Sequence, residues 1–372
     1  ARELAWRGYQ VTVFEEMPEP GGMLRYGIPA YRLPRDIIKA EIDAILALGV
    51  ELHCQTRVGR DISWEELRRT YNAVYLAIGA HRSLKLGVDG EDLQGVIGAV
   101  EFLRQVNLAD APPVGRNVAV IGGGNSAIDA ARSALRLGAK QVTIIYRRLR
   151  EDMPAQEEEI HAAEEEGIKI QYLAAPVRFT GDEGQVRQIV CQRMTLGEFD
   201  RSGRRRPVPV PGAEFILEAD QVIAAVSQQP VLPFPTDNGL GIKVSKGGLI
   251  QLRPGTKTLT GEAMVFAGGD TVTGPSTVIW AIAAGRNAAR EIDMAIRVIN
   301  GEPPYVPPLS VETLVPLITD EELKEPPQAV MPELEPEVRM KQFVEVELGF
   351  SPQVAMGEAC RCLRCDIKPE DS

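Results

Sequence analysis

Residues 116–148 constrain the fold of this chain more than any other stretch. The apolar run NVAVI enters three consecutive glycines, NSAIDAARSALRLG follows with apolar and small residues at helical spacing, and QVTIIY begins soon after Gly138. A buried strand, a glycine turn, a helix closed by glycine and a second apolar strand make one βαβ unit, whose strands lie parallel. The chain is therefore expected in the α/β class. The turn, Gly122-x-Gly124-x-x-Ala127, has the spacing of a dinucleotide fingerprint. Gly122 permits the tight turn, Gly124 lets the backbone approach a pyrophosphate with no Cβ in the way, and Ala127 lets the helix pack close to the sheet. Free N–H groups at the helix start then face the phosphates. A glycine turn needed only for packing is the plainer alternative. Arg147 and Arg148 end the second strand, where an NAD site usually presents an acid to the ribose hydroxyls. A guanidinium there suits the additional 2′-phosphate of NADP, so NADP is expected over NAD. The alternative is two surface arginines answering the acidic helix at 155–167, itself expected to be a solvated face.

A second nucleotide unit is expected around the first. Residues 1–8 read as the end of a helix stopped by Gly8, followed by a strand through Val11, Val13 and Phe14. A domain rarely opens in mid-helix, so an upstream strand and turn, half of another βαβ unit, are expected before residue 1. Glu15 ends the visible strand, a common place for an acid that binds the adenosine ribose of FAD. Far along the chain, Gly268-Gly269-Asp270 follows the strand VFA and precedes the helix STVIWAIAAGRNAAREI. An aspartate there suits the ribityl chain of FAD. Two nucleotide folds, one interrupting the other, bring a nicotinamide against a flavin, and hydride transfer between them depends on stacking and orientation. None of His53, His81 and His161 stands in a catalytic setting, in keeping with chemistry carried by cofactors.

The expected architecture is α/β, with two Rossmann-like dinucleotide-binding domains and an extended C-terminal tail. The FAD-binding parts span 1–111 and 229–300, the NAD(P)-binding domain 112–228, a proline-rich acidic linker 301–350, and a cysteine-containing tail 351–372. A net charge of -11 argues against a general nucleic-acid binder, and no apolar run reaches the roughly 18 residues of a membrane span. Three of five cysteines, Cys360, Cys362 and Cys365, crowd the last thirteen residues, which points to metal or redox chemistry in a reducing, cytoplasmic setting. Thiolates this close suit an iron–sulfur cluster, but a cubane needs a fourth ligand from elsewhere. Zinc binding, inert surface thiols and a Cys362-x-x-Cys365 redox dithiol are the alternatives.

The segments GGMLRYGIPAYRLP (21–34), VGRDI (58–62), VIGGGNSAIDAARSALRLGA (120–139), YRRLREDMPAQEEEI (146–160) and VFAGGDTVTGPSTVIWAIAAGRNAA (265–289) together resemble the glutamate synthase small-subunit family. They are also similar to the FAD/NADPH part of dihydropyrimidine dehydrogenase and to the large subunit of NADH-dependent ferredoxin:NADP oxidoreductases. The resemblance covers roughly residues 1–300. It implies FAD and NAD(P)H on two Rossmann-like domains and iron–sulfur clusters passing electrons to a partner subunit. By motif it implies that Glu15 meets the FAD ribose, that Gly22, Met23, Leu24 and Arg32 lie along the FAD with Val58 near its adenine, and that Asp270 binds the flavin. Gly122, Gly124, Asn125, Ser126, Arg147 and Arg148 match the nicotinamide-nucleotide site. Two departures stand out: no FAD glycine fingerprint lies within the chain, and Ser227 replaces the family's usual glycine in IAAVSQQP. A structural subunit that keeps the fold without flavin chemistry is the rival reading.

Overall fold

The computed structural model describes residues 1–108, 112–200, 203–234, 239, 241–306 and 328–360. The N-terminal elements are α1 (Arg2–Trp6), β1 (Thr12–Phe14), α2 (Met23–Tyr26), α3 (Arg35–Leu46), β2 (Glu51–His53), α4 (Trp64–Thr70) and β3 (Val74–Leu76). A short strand, β4 (Arg82–Ser83), leads through β5 (Val96–Gly98) and α5 (Ala99–Asn107) into the expected unit of β6 (Asn117–Ile121), α6 (Asn125–Arg136) and β7 (Gln141–Tyr146). Next come α7 (Glu157–Glu165), β8 (Lys169–Tyr172), β9 (Ala174–Asp182), β10 (Gln185–Phe199), β11 (Arg205–Glu218), β12 (Gln221–Ala224) and β13 (Gln228–Gln229). The chain then returns through β14 (Val265–Ala267), α8 (Asp270–Thr273), α9 (Val278–Asn300), α10 (Pro336–Arg339) and α11 (Pro352–Cys360).

The centre is a five-stranded parallel sheet ordered β5-β12-β6-β7-β8. Its central strands carry near-continuous apolar runs because both faces are covered, and the two-residue period sorts the side chains. Val118, Val120, Val142, Ile144 and Ile223 face one way, onto Phe102 and Leu103 of α5 and Ile160 of α7. Ala127, Ala130, Ala131 and Ala134 of α6 complete that layer and are 0% exposed, so the helix lies close against the strands. Ala119, Ile121, Ile145 and Val222 face the other way, onto Phe179, Ile189 and Cys191 of an antiparallel β9-β10-β11 sheet.

Outside the central sheet, β1 pairs with β2 and β14 with β3, both parallel. Leu76, Val265 and Ala267 pack with Trp64, Phe234 and Ile250 in a core of their own. The central strand–helix–strand unit and the split arrangement of the flanking pairs give the doubly nucleotide-binding α/β architecture read from the sequence.

Two parts depart from expectation. The acidic helix is not only a solvated face: Ile160, Ala162 and Ala163 of α7 are buried, and so is Glu166 at its end. Residues 328–348, expected as linker, dock on α6, the end of α7 and the loop that carries Tyr31. Val346 is buried and donates its N–H to the Tyr31 carbonyl (3.0 Å), Phe343 lies 6.1 Å from the Tyr31 ring, and Arg136 Nε donates to the Gln342 carbonyl (3.2 Å). Arg339, 2% exposed, reaches Glu165 (2.6 Å), Glu166 (3.2 Å) and Glu333. Glu166 also accepts from Arg132 (2.8 Å) and Arg136 (2.7 Å). Proline content alone could not reveal this docking, because its partners, Tyr31, Arg136 and Glu165–Glu166, lie in distant segments.

Candidate functional site

A cleft of about 610 Å³ opens where β6 meets α6, within the range of small-molecule sites. Gly122, Gly123, Gly124, Asn125 and Ser126 form one wall. The three glycines are needed for different reasons. Gly122 has φ +146°, and a Cβ there would drive into the Ala225 carbonyl. A Cβ on Gly123 would come within 2.5 Å of the Tyr146 ring. At Gly124 the backbone is extended (φ -93°, ψ 175°) and a Cβ would touch only Pro154, at 3.8 Å. The fold therefore requires Gly122 and Gly123 but leaves open space over Gly124. Gly124 caps α6 with no side-chain acceptor, and the backbone N–H groups of Gly124, Asn125 and Ser126 make no hydrogen bond among the described residues. These orphan donors at the start of a three-turn helix suit a phosphate group.

The neighbouring side chains brace this loop. Asn125 Oδ1 accepts from Gln156 N–H (3.1 Å) at the start of α7, and Ser126 Oγ accepts from Gln228 Nε2 (3.4 Å). Ala127 is 0% exposed against the sheet. Arg147 and Arg148 both line the cleft, yet they differ. Arg147 is exposed, with no partner among the described residues, whereas Arg148 is buried and donates to the Arg205 carbonyl and to Asp200, both at 2.8 Å. Neither answers the acidic helix; Arg150 does, pairing with Glu157 and Glu164. Ser227 also lines the cleft, its carbonyl accepting from Leu84 N–H (3.0 Å).

The opposite wall belongs to the second unit. Pro275 and Ser276, in the loop between α8 and α9, line the same cleft, and Ser276 N–H donates to Asp270 Oδ1 (3.1 Å). Burial pushes the Asp270 carboxyl up, and the Ser276 hydrogen bond opposes it. Gly269 precedes it at φ +70°, with nothing nearer to a Cβ than Ala281 at 3.9 Å, while Gly268 is confined by the Tyr75 hydroxyl. Glu15 follows β1 half-buried. Its Oε1 accepts from Met17 N–H (2.8 Å), and burial raises its carboxyl above the usual range. Gly22, at φ +53°, starts α2 with open space over its Cα, and Met23 packs against Gly27. Leu24 is half-buried, its carbonyl accepting from Arg35 (3.2 Å). Val58 packs beside the Trp64 core. Gly22, Gly269 and the carboxylates of Glu15 and Asp270 thus leave room and acceptors suited to a dinucleotide.

Arg32 is committed elsewhere. Its NH1 donates to both oxygens of Asp129 at 3.0 Å, and its Nε pairs with Glu159 at 2.7 Å. Cys360 is a free, exposed thiol at the end of α11, while Cys362 and Cys365 lie outside the described residues. Among the described residues no group of three or more histidines, cysteines or acids stands ready to hold a metal ion, and no helix is long and apolar enough to cross a membrane.

A family model described as pyridine nucleotide-disulphide oxidoreductase matches residues 1–285. The chain belongs to that family. It is 46% identical to the NADP(+)-dependent formate dehydrogenase subunit beta of Moorella thermoacetica, covering 98% of this chain and 52% of that protein. It is 41% identical to the NADPH-Fe(3+) oxidoreductase subunit beta of Geobacter sulfurreducens, covering 97% and 58%, and 37% identical to the glutamate synthase [NADPH] small chain of Azospirillum brasilense, covering 78% and 63%. The chain thus spans little more than half the length of the first two. Among solved structures, Mycobacterium tuberculosis FprA in complex with NADPH shares the fold, with a TM-score of 0.66, 22% identity and 80% coverage of both chains. The resemblance read from the motifs at 21–34, 120–139 and 265–289 is that of this family.

Sequence reasoning did not single out Arg204, Gln228 and Ser276, which also line the cleft. The GRRRP run at 203–207, basic in an acidic chain, was the available signal for the first. It also missed Asp129, 3% exposed, whose carboxyl burial pushes up to about 7 while Arg32 opposes. From its ordinary 3.8 to about 7, the folded chain holds a proton there that the unfolded chain has released, so stability falls as pH rises through this window. Asp129→Asn is expected to flatten that decline. Urea midpoints at pH 5 and pH 8 measure it, and equal pH dependence in both proteins would refute the assignment.

Proposed function

We propose that this chain is the nucleotide-handling part of an electron-transfer subunit that exchanges a hydride between NADPH and FAD. The observation that carries this reading is one cleft walled on one side by the Gly122–Ser126 turn and on the other by Pro275 and Ser276, the latter bonded to Asp270. In this reading the N–H groups after Gly123 hold the pyrophosphate of NADP(H), while Glu15, Gly22, Gly269 and Asp270 hold FAD. Bound FAD supplies a hydride acceptor that also releases electrons singly. The protein's task is then to hold the nicotinamide against the flavin and keep water out. NADPH rather than NADH is favoured by the arginines at the end of β7, and by relatives whose names carry NADP(H).

The names "subunit beta" and "small chain" favour a partner subunit that takes or supplies the electrons. Cys360, Cys362 and Cys365 fit an iron–sulfur cluster completed by a ligand from elsewhere, and the cysteine usage fits a cytoplasmic setting. Anaerobically purified protein is expected to contain iron and acid-labile sulfide, reduced in Cys360→Ser. Metal content that does not change in the variant would remove Cys360 from any cluster. The FAD-loaded chain is expected to reduce ferricyanide with NADPH. Asp270→Ala is expected to bind FAD roughly tenfold or more weakly, as the loss of a charge-assisted hydrogen bond implies. Full flavin retention in that variant would contradict the role given to Asp270.

A further inference from the structure

The loop that starts at Gly22 is tied down in two places. Arg35 donates to the carbonyls of Leu24 (3.2 Å) and Ile28 (2.7 Å), and Asn107 of α5 donates to those of Tyr26 (3.1 Å) and Ile28 (3.3 Å). Further on, Tyr31 and Arg32 meet one face of α6, where Asp129, Arg132 and Arg136 recur at helical spacing. Arg32 bonds both oxygens of Asp129 and bridges to Glu159 of α7. The Tyr31 ring, 1% exposed, has the Arg136 guanidinium 4.0 Å from its centroid and that of Arg132 at 5.0 Å. One loop therefore runs from Gly22 to the flank of the helix whose first turn lines the cleft.

Residues 328–348 form a strap that closes this joint from outside. Phe343 lies against the Tyr31 ring, Val346 N–H donates to the Tyr31 carbonyl, the Gln342 carbonyl accepts from Arg136, and Arg339 pairs with Glu165 and Glu166. The strap thus touches the loop, α6 and the end of α7 at once. The Tyr31 hydroxyl has no hydrogen-bond partner among the described residues, so the joint uses the ring. Apolar packing alone tolerates sliding, whereas buried charges with fixed donors and acceptors can specify one register. We propose that the strap is a clasp that fixes the loop against α6, and that Tyr31, Arg339 and Phe343 are positioning residues for hydride transfer. This rests on the reading in which Gly22 holds FAD and the start of α6 holds NADP(H). The transfer moves two electrons and one proton from NADPH to FAD, leaving NADP+ and two-electron-reduced flavin. Its rate depends steeply on how the two rings are set, and a displacement of about 1 Å can cost roughly a hundredfold. The groups assigned to each nucleotide lie outside the clasp, so loosening it alters how the two are set and not how tightly each is held.

The test is stopped-flow reduction of the FAD-loaded protein by NADPH, with isothermal titration of NADP+ and amide exchange on the same samples. The double variant Arg339→Ala, Phe343→Ala is expected to lower the limiting reduction rate roughly tenfold or more, with NADP+ affinity and FAD content within about twofold of wild type. Amide exchange is expected to rise at 28–33 as well as in the strap. Phe343→Ala alone, at a half-buried position, is expected to move both readouts in the same direction. Tyr31→Phe, which keeps the ring, is expected to keep the wild-type rate, and Tyr31→Leu to reproduce the loss. A strap that only stabilises the fold would lower the unfolding midpoint and leave the limiting rate unchanged. That result overturns the clasp and leaves the NADPH–FAD reading standing. Weakened NADP+ or FAD binding that accounts for the whole loss of rate also overturns it, since the strap would then belong to a binding site. Wild-type protein that binds both nucleotides and shows no flavin reduction overturns the proposed function and the clasp with it.

Discussion

Gly124→Ala is expected to lower NADP(H) affinity by roughly tenfold or more while leaving the unfolding midpoint nearly unchanged, and Gly122→Ala is expected to do the reverse first. The two positions differ by two residues and by what surrounds them. At Gly122 a side chain meets both an unfavourable φ of +146° and the Ala225 carbonyl, just past the adjacent strand β12. Strain of this kind costs about 1–3 kcal/mol and the overlap with backbone adds to it, so a fall of several degrees in midpoint follows. At Gly124 the conformation suits any residue and the nearest protein atom is 3.8 Å away. A methyl group there occupies only the space that a phosphate would take. Nucleotide titration and thermal unfolding on both variants separate a folding glycine from a binding glycine. Unchanged NADPH affinity in Gly124→Ala would mean that the open space over it is not the phosphate site.

Glu166→Gln is expected to be among the most destabilising single substitutions in the nucleotide domain. Its carboxylate, 0% exposed, faces the guanidiniums of Arg132, Arg136 and Arg339. Burial alone would raise its pKa, but the hydrogen bonds from Arg136 and Arg132 outweigh that and hold it below the usual carboxylate range. Removing its charge leaves buried cations short of a partner, a change that typically costs about 3–5 kcal/mol. Because the folded-state pKa is depressed, this contribution is complete above the ordinary Glu pKa and is lost as pH falls through the lower folded value. Arg339→Ala should act more locally. The strap at 328–348 loses its deepest anchor, so amide exchange and proteolysis there should rise several-fold while β6 and β7 stay protected. Unaltered exchange in the strap would show that Val346 and Phe343 suffice to dock it.

How much of this was legible in the sequence follows from the range of each signal. The unit β6-α6-β7 was readable because its information is local: apolar strands, a glycine turn and small helical residues all lie within about thirty residues. The motifs around Asp270 and Glu15 were readable one by one. The approach of the loop beside Asp270 to the Gly122 turn across one cleft was not, because Ser276 reaches that cleft only through the long return from β12 to β14. Arg32 shows the limit of a motif: the loop is legible, but not that the side chain pairs with Asp129 and Glu159, about a hundred residues further on. Acidic composition at 155–167 suggested solvation, because composition cannot tell that Arg132, Arg136 and Arg339 arrive from elsewhere. The same holds for Arg148, whose partners come from a hairpin more than fifty residues away.

The most direct test of the central claim is an anaerobic visible spectrum of the FAD-loaded protein, titrated first with NADPH and separately with NADH. The account predicts a bound-flavin band that NADPH bleaches at lower concentration than NADH. A chain that binds FAD and NADPH but shows no bleaching by either nucleotide would contradict it, since the two walls of the cleft would then not bring nicotinamide and flavin together.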